Sequence, residues 1–418
     1  MIRCLRIVAF RRLFAAYVLN ELAWSVGTLA LSLLVYRETG SAIGSAGFFL
    51  CSQFLPALLA PALVARLDRA SLRVVLPTLY LVESLLFGAL AYLTHHFLLL
   101  PVLLLALADG AIAATARSLA TAARVEILRP RDLMHEGNAL GSFAFSGAYM
   151  AGPIIGGAVV AAGGTLAALL VNCGLFATVG AFLAITALPG AKPEPGSALS
   201  RLSAGVAHVR SDPLLARLLT MQAIGLCIFT ITIPVEVIYA QHALGAGAGG
   251  YGLLLGVWGG GAVAGSVVYA RFRRRAATPL IAGSALALAA GFAVMAAAPG
   301  LIVALCGAAV AGAGNSVEWV ACRTAIQERT PDRWMALLMS LTDSMSMLAP
   351  GVGIVAGGLI AQFASSRAAF AVASAGSLLF AVAVPFALRR ADAPRPERGP
   401  AVDVSADEAA LPRGKSLV

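Results

Sequence analysis

Six carboxylic acids stand inside otherwise apolar stretches of this 418-residue sequence: Glu21, Glu83, Asp109, Glu236, Glu318 and Asp343. At the centre of a hydrocarbon layer a charge costs at least about 2.5–3.5 kcal/mol, so a carboxyl kept there is by default a candidate for moving protons, ions or cargo. Such a group can bind a proton facing one aqueous space and release it facing another. The plainer alternative is that some of the six lie near a water interface or pair with arginine to help folding. Helical spacing gives three of them polar and aromatic company. Tyr17, Glu21, Trp24 and Thr28 share one face; Gln222, Phe229 and Glu236 share a second; Asn315, Glu318, Trp319 and Cys322 share a third. Met335, Met339 and Met347 bracket Asp343 at four-residue steps. That stripe is soft enough for varied apolar ligands, although ordinary gap filling explains it as well.

The elements that must position these acids follow from composition. The chain is 60% hydrophobic and 12% charged, about half the charge of a soluble domain. Its apolar blocks run for about 20 residues, enough at about 1.5 Å per residue to cross a hydrocarbon core of about 30 Å. Backbone groups in lipid must be paired within the segment, so the blocks read as helices; barrel strands would be about half as long and would alternate. A soluble globular domain is excluded. The net charge of +10 does not point to nucleic acid, because the basic residues punctuate the apolar blocks instead of forming a face. Cys4, Cys51, Cys173, Cys227, Cys306 and Cys322 are scattered without metal-type spacing and read as packing residues. His135-Glu136 has Ala139 where a zinc protease needs its second histidine, and the Gly245–Gly252 run follows no strand. No cofactor and no metal is expected, and enzyme chemistry is not.

Twelve spans are expected, at roughly 13–36, 43–65, 74–94, 98–121, 139–161, 165–188, 214–239, 250–270, 279–298, 301–322, 336–361 and 368–388. The first follows Arg11 and Arg12 and is too long for a signal-peptide core. With both termini in the cytoplasm, all but Arg37 and Arg367 of the 30 Lys and Arg fall inside, as the positive-inside rule asks. The stretch 189–213, with Pro189, Pro193, Pro195 and Pro213, reads as a linker between an N-terminal half, 1–188, and a C-terminal half, 214–388. The tail, 389–418, lacks apolar periodicity and is expected to be disordered.

The halves echo each other. Gly152-Pro153-Ile154-Ile155-Gly156-Gly157 in span 5 answers Pro350-Gly351-Val352-Gly353 and Gly357-Gly358 in span 11, and spans 4 and 10 end in Arg117-Ser118 and Arg323-Thr324. Duplicated halves with a site between them near midplane are a transporter pattern. Phe10-Arg11-Arg12-Leu13, Thr39-Gly40-Ser41-Ala42, Arg129-Pro130-Arg131-Asp132-Leu133 with Gly137-Asn138-Ala139-Leu140, and the Gly-Pro-x-x-Gly-Gly run together resemble the major facilitator superfamily over about residues 10–388. Within it the chain is most similar to the branch of bacterial siderophore and macrolide exporters.

The resemblance implies an all-α integral membrane fold of 12 transmembrane helices in two six-helix bundles, with spans 1, 4, 7 and 10 lining a central cavity. Each of those four carries an acid. It implies an antiporter motif at Gly152, Pro153, Gly156 and Gly157, and a cytoplasmic gate at Asp68, Arg69 and Arg73, joined by Arg117 or Arg124. The gate departs from the family pattern, with Val64 in place of glycine and Arg66 in place of leucine; Asp109 precedes Gly110 where the family often has arginine before glycine. The expected function is secondary, proton-coupled efflux of a small amphipathic organic compound, with Glu21, Asp109, Glu83, Glu236, Glu318, Asp343, Asn315, Gln222 and Trp24 as proton-coupling and cavity residues. The alternatives are proton-coupled uptake of a small solute and a non-transporting scaffold. Expected partners are the substrate, protons and the lipid bilayer, with no nucleic acid; a monomer in a bacterial inner membrane is the expected setting.

Overall fold

The protein is represented by a computed structural model that describes residues 2–67, 71–131, 133–186, 188, 209, 212–272, 275–329 and 350–388. Among the described residues there is helix and no strand, the outcome that lipid imposes on segments obliged to pair their own backbone. Ten helices are long and apolar enough to cross a membrane. One of these, Met134–Ala184, is two spans joined at Gly164, where a φ of 76° interrupts the helix in a conformation glycine adopts without strain. The shorter Pro350–Phe363 belongs to a further span.

Twelve spans therefore appear where twelve were expected. Span 1 is Val8–Thr39. Span 2 is Ala42–Phe49, a π-helical turn Leu50–Phe54, and Leu55–Leu67. Span 3 is Leu72–Tyr92, span 4 is Leu99–Leu128, and spans 5 and 6 lie before and after Gly164. Span 7 starts as Pro213–Thr230 and continues through Ile233–Val235, Glu236–Ile238 and Tyr239–Ala243. Spans 8 to 12 are Gly247–Phe272, Ala277–Ala297, Leu301–Arg329, Pro350–Phe363 and Ser366–Leu388. Successive spans run antiparallel, so Val8 and Leu388 lie on one side, here called the terminal side, opposite the far side. The linker lies almost wholly outside the described residues, as do the tail, Asp68, Arg69 and the stretch from Met335 to Met347 that contains Asp343.

Local chemistry explains the helix ends. Gly40, at φ 58°, closes span 1 by donating its N–H to Tyr36 O at 2.9 Å, and Ser41 opens span 2 by accepting the Gly44 N–H at 3.1 Å. Asp212 accepts the N–H groups of Leu214 and Leu215 at 3.0 and 3.1 Å, with Pro213 in the first turn. Arg367, expected on the far side, donates to Ala296 O at 3.0 Å and so satisfies an orphan carbonyl at the end of span 9.

Spans 4, 7 and 10 differ from expectation, span 10 by running on past 322 to Arg329. Span 4 does not stop at 121 but runs to Leu128, because its apolar stripe continues through the buried Leu119, Ala123 and Ile127. Arg124 is therefore a helix residue, as Arg117 was already expected to be. Span 7 is not one straight helix: between Thr230 and Glu236 it passes through a tighter turn containing Pro234, which has no N–H to give the ladder. A tighter turn thus separates Glu236 from Gln222 and Phe229, with which uninterrupted helical spacing would place it on one face.

Glycine decides how the spans meet, and it does so twice over. A Cβ on Gly156 would lie 3.1 Å from Val26 Cα in span 1, while one on the adjacent Gly157 would lie 2.7 Å from Ala248 O and 2.9 Å from Gly252 Cα in span 8. In span 11, a Cβ on Gly357 would run into Ile231 O of span 7, and one on Gly358 would lie 2.6 Å from Ala46 Cβ of span 2. Each Gly-Gly pair thus packs one residue within its own half and the next across to the other half. In span 8, Gly252, Gly256 and Gly259 face span 5, Gly259 against Tyr149 O at 2.9 Å, whereas Gly260 has only an ordinary 3.7 Å approach to Met150 Sδ.

Overpacking of this kind costs about 1–3 kcal/mol. Gly157→Ala and Gly357→Ala should each lower the melting temperature of the purified protein, whereas Gly174→Ala, where an added Cβ meets nothing within 4 Å, should not. Equal melting of all three in a thermal-shift measurement would show that the spans do not approach this closely.

Candidate functional site

Helical spacing on three spans carries polar groups into the N-terminal bundle. Tyr17, Asn20, Glu21 and Trp24 recur at three- and four-residue steps on span 1, Tyr80, Glu83 and Phe87 do so on span 3, and Arg117, Thr121 and Arg124 do so on span 4. Glu21 is 3% exposed, and its Oε1 lies 3.7 Å from a terminal nitrogen of Arg117, whose side chain is 44% exposed. Asn20 hydrogen-bonds Glu21, and the Arg117 guanidinium sits 5.9 Å above the Trp24 ring. A half-exposed arginine this far inside the bundle means that solvent reaches the pair, so the pair's attraction is weakened by screening.

Glu83 is the deeper acid. It is fully buried, and neither carboxylate oxygen has a protein partner among the described residues. It lies within electrostatic reach of Asp109 and Arg117. One oxygen of Asp109 is likewise shielded and unpartnered. Backbone crowding fixes Asp109 in place, because a Cβ on the neighbouring Gly110 would meet Pro56 and the Ser52 carbonyl of span 2. Glu21, Glu83, Asp109 and Arg117 therefore form one cluster, and span 3, expected outside the cavity, contributes its most buried member. Asn172 of span 6, also fully buried and unpartnered, touches the same bundle interior beside Gly27 and Phe87. Asn172 was not among the expected site residues, since a lone amide inside an apolar block carries no periodic signal.

The acids of the other half stand apart. Glu318 on span 10 packs directly against Gly225 of span 7, where an added Cβ would collide with its Oε1, and its Oε2 is unpartnered. Gln222, one turn earlier on span 7, is buried with both amide atoms unpartnered. Asn315 is half-buried on span 10. Glu236 is buried where the halves meet on the far side, hydrogen-bonded with Thr232 and close enough to Tyr149 of span 5 and Tyr251 of span 8 to act on both electrostatically. These two tyrosines were missed, each being a single hydroxyl-bearing ring among small and apolar residues.

The halves close on the far side. Ser32 Oγ lies 3.4 Å from Tyr251 Oη, the Tyr36 and His242 rings meet edge to face at 5.4 Å, and the Ala42 N–H donates to Gln362 Oε1 at 3.1 Å. The Pro153 carbonyl belongs to the same seam, abutting Gly252 of span 8, while Gly152 abuts Ser25 of span 1 within its own half. Arg117 was grouped with the gate, but its partners here are Glu21 and Trp24; Arg73 is exposed at the start of span 3. Among the described residues no group of histidine, cysteine or acid is arranged to hold a metal ion.

A family model described as Major Facilitator Superfamily matches residues 13–349, and again 218–415. The chain belongs to that superfamily. A search of curated proteins finds no match. The nucleoside transporter NupG has a similar structure, with a TM-score of 0.72, 12% identity and coverage of 90% of this chain and 98% of that one. A bacterial homologue of the iron transporter ferroportin, in an inward-facing state, gives 0.69 at 17% identity, with coverage of 90% and 98%. A D-xylose–proton symporter gives 0.67 at 15%, with coverage of 90% and 97%. At these identities the likeness is one of fold: two six-helix bundles in a multi-pass membrane transporter.

An unpartnered buried carboxylate is held at a cost in stability. Glu83→Gln should therefore raise the melting temperature of the purified transporter by several degrees, as removing a functional strain often does. A fall would mean that Glu83 has a compensating partner.

Proposed function

We propose that this transporter exports a small amphipathic organic compound in exchange for protons, by rocking its halves, 1–188 and 214–388, about the seam between them. The observation that carries the reading is the Glu21–Arg117 pair beside Glu83 and Asp109. It puts acids without full protein compensation at mid-depth, on a bundle whose solvent access comes from the terminal side. An acid so placed changes its protonation as water reaches it from one side or the other, which is the coupling a proton-driven cycle needs. The far-side seam supports a conformation open towards the terminal side. The positive-inside distribution supports placing that side in the cytoplasm of a bacterial inner membrane. Export rather than uptake rests on the resemblance of Gly152, Pro153, Gly156 and Gly157 to an antiporter motif. Packing adds a physical role, since those residues join span 5 to spans 1 and 8 without intervening side chains. The far-side acid Glu236, set among Tyr149 and Tyr251, is suited to sense the state of the seam. The transporter works as a monomer, each copy carrying its own path.

Cells making the protein should accumulate several-fold less of an exported fluorescent amphipathic dye than cells lacking it, and a protonophore should abolish the difference. Asp109→Asn should abolish it too, without changing the amount of protein in the membrane. Greater accumulation in the producing cells would point to uptake, and a difference that survives the protonophore would remove proton coupling.

A further inference from the structure

The N-terminal bundle contains a cleft, partly open to solvent, between spans 1, 3, 4 and 6 on the terminal side of Glu21. Arg117 and Arg124 both line it, seven residues apart on one face of span 4. Only Arg117 has a carboxylate partner, Glu21. Arg124 makes no hydrogen bond or ion pair to a described group, and its Nε is shielded from solvent with nothing to donate to. The cleft therefore carries a positive charge that the described protein does not neutralise. The half-buried Phe14, backed by the buried Phe10 ring stacked on it at 5.9 Å, lines the same cleft, as do Tyr17 and Asn20. A guanidinium donates to planar oxyanions in pairs, and an aromatic wall takes a flat apolar body.

We infer that this cleft binds the acidic head of an amphipathic monoanion on Arg124 and Arg117, with its apolar body against Phe14. The anion competes with Glu21 for Arg117, so that binding releases Glu21 from its only described ion pair. This names the chemical class of cargo, an aromatic or aliphatic acid, and for its role in transport it rests on the function proposed above. Binding itself needs no proton gradient, so it can be tested separately. The acidic head of an anionic lipid has the same chemistry as that of a soluble acid.

The test is calorimetric titration of the whole protein in zwitterionic-lipid nanodiscs with 1-naphthoate, 1-naphthylmethylammonium and 1-naphthylmethanol. The acid should bind at least about tenfold more tightly than the other two, the scale of one charge-assisted contact. Arg124→Gln should erase that preference, Arg124→Lys should keep part of it, and Glu21→Gln should strengthen binding of the acid by freeing Arg117. Gel filtration of each variant checks that it is folded. Repeating the titration in discs containing phosphatidylglycerol separates the sources: weakened naphthoate binding there identifies the lipid head as an occupant of the cleft, and unchanged binding identifies a soluble acid. No preference for the acid in the native protein, or the same preference in Arg124→Gln, would overturn the inference.

Discussion

A carboxylate surrounded by hydrocarbon has three ways to exist: paired with a cation, protonated, or wetted. Glu21 and Glu83 draw on one nearby arginine, Arg117, which contacts Glu21 at 3.7 Å and is itself half-exposed, and Asp109 lies within electrostatic reach of Glu83. Three acids and one shared cation cannot all be charged at once at low cost. The cluster therefore has more than one protonation state available to it, and which one it occupies depends on how far water penetrates. Water penetration in turn depends on which side of the molecule is shut.

Closure is a matter of backbone contact. Gly157 against Gly252 and Gly358 against Ala46 bring spans of opposite halves together with almost no side chain between them. Without a hydrophobic driving force between helices in lipid, such close van der Waals packing is what holds them. Contacts of this type are flat and unbranched, so they part without unthreading interdigitated side chains. The polar contacts that accompany them, Ser32 with Tyr251 and Ala42 with Gln362, are few and at the far end. A seam of this construction is strong enough to define a state and simple enough to leave.

The duplication visible as weak sequence symmetry becomes a packing rule in three dimensions. Span 5 meets spans 1 and 8, and span 11 meets spans 7 and 2, through consecutive glycines in the same order. The acids do not follow the same rule. The N-terminal half gathers Glu21, Glu83 and Asp109 around an arginine, while in the C-terminal half Glu318 lies against Gly225 and Glu236 sits apart at the seam.

Much of this was legible in the residues. The number of spans, their approximate ends, the caps at Gly40, Ser41 and Asp212 and the presence of acids at lipid depth all derive from local quantities: chain length against bilayer thickness, and the chemistry of a helix end. The acids' company was only half legible. Periodicity placed Tyr17, Glu21 and Trp24 on one face because a regular helix guarantees it, but it gave no sign of the tighter turn at Pro234 that stands between Gln222 and Glu236. It also could not show that Glu83 of span 3 joins Asp109 of span 4, that Asn172 reaches the same interior, or that Gly156 and Gly157 look to different halves. Those facts belong to surfaces from segments tens to a hundred residues apart, and only their mutual packing, one atom's width at a time, settles which side chain meets which.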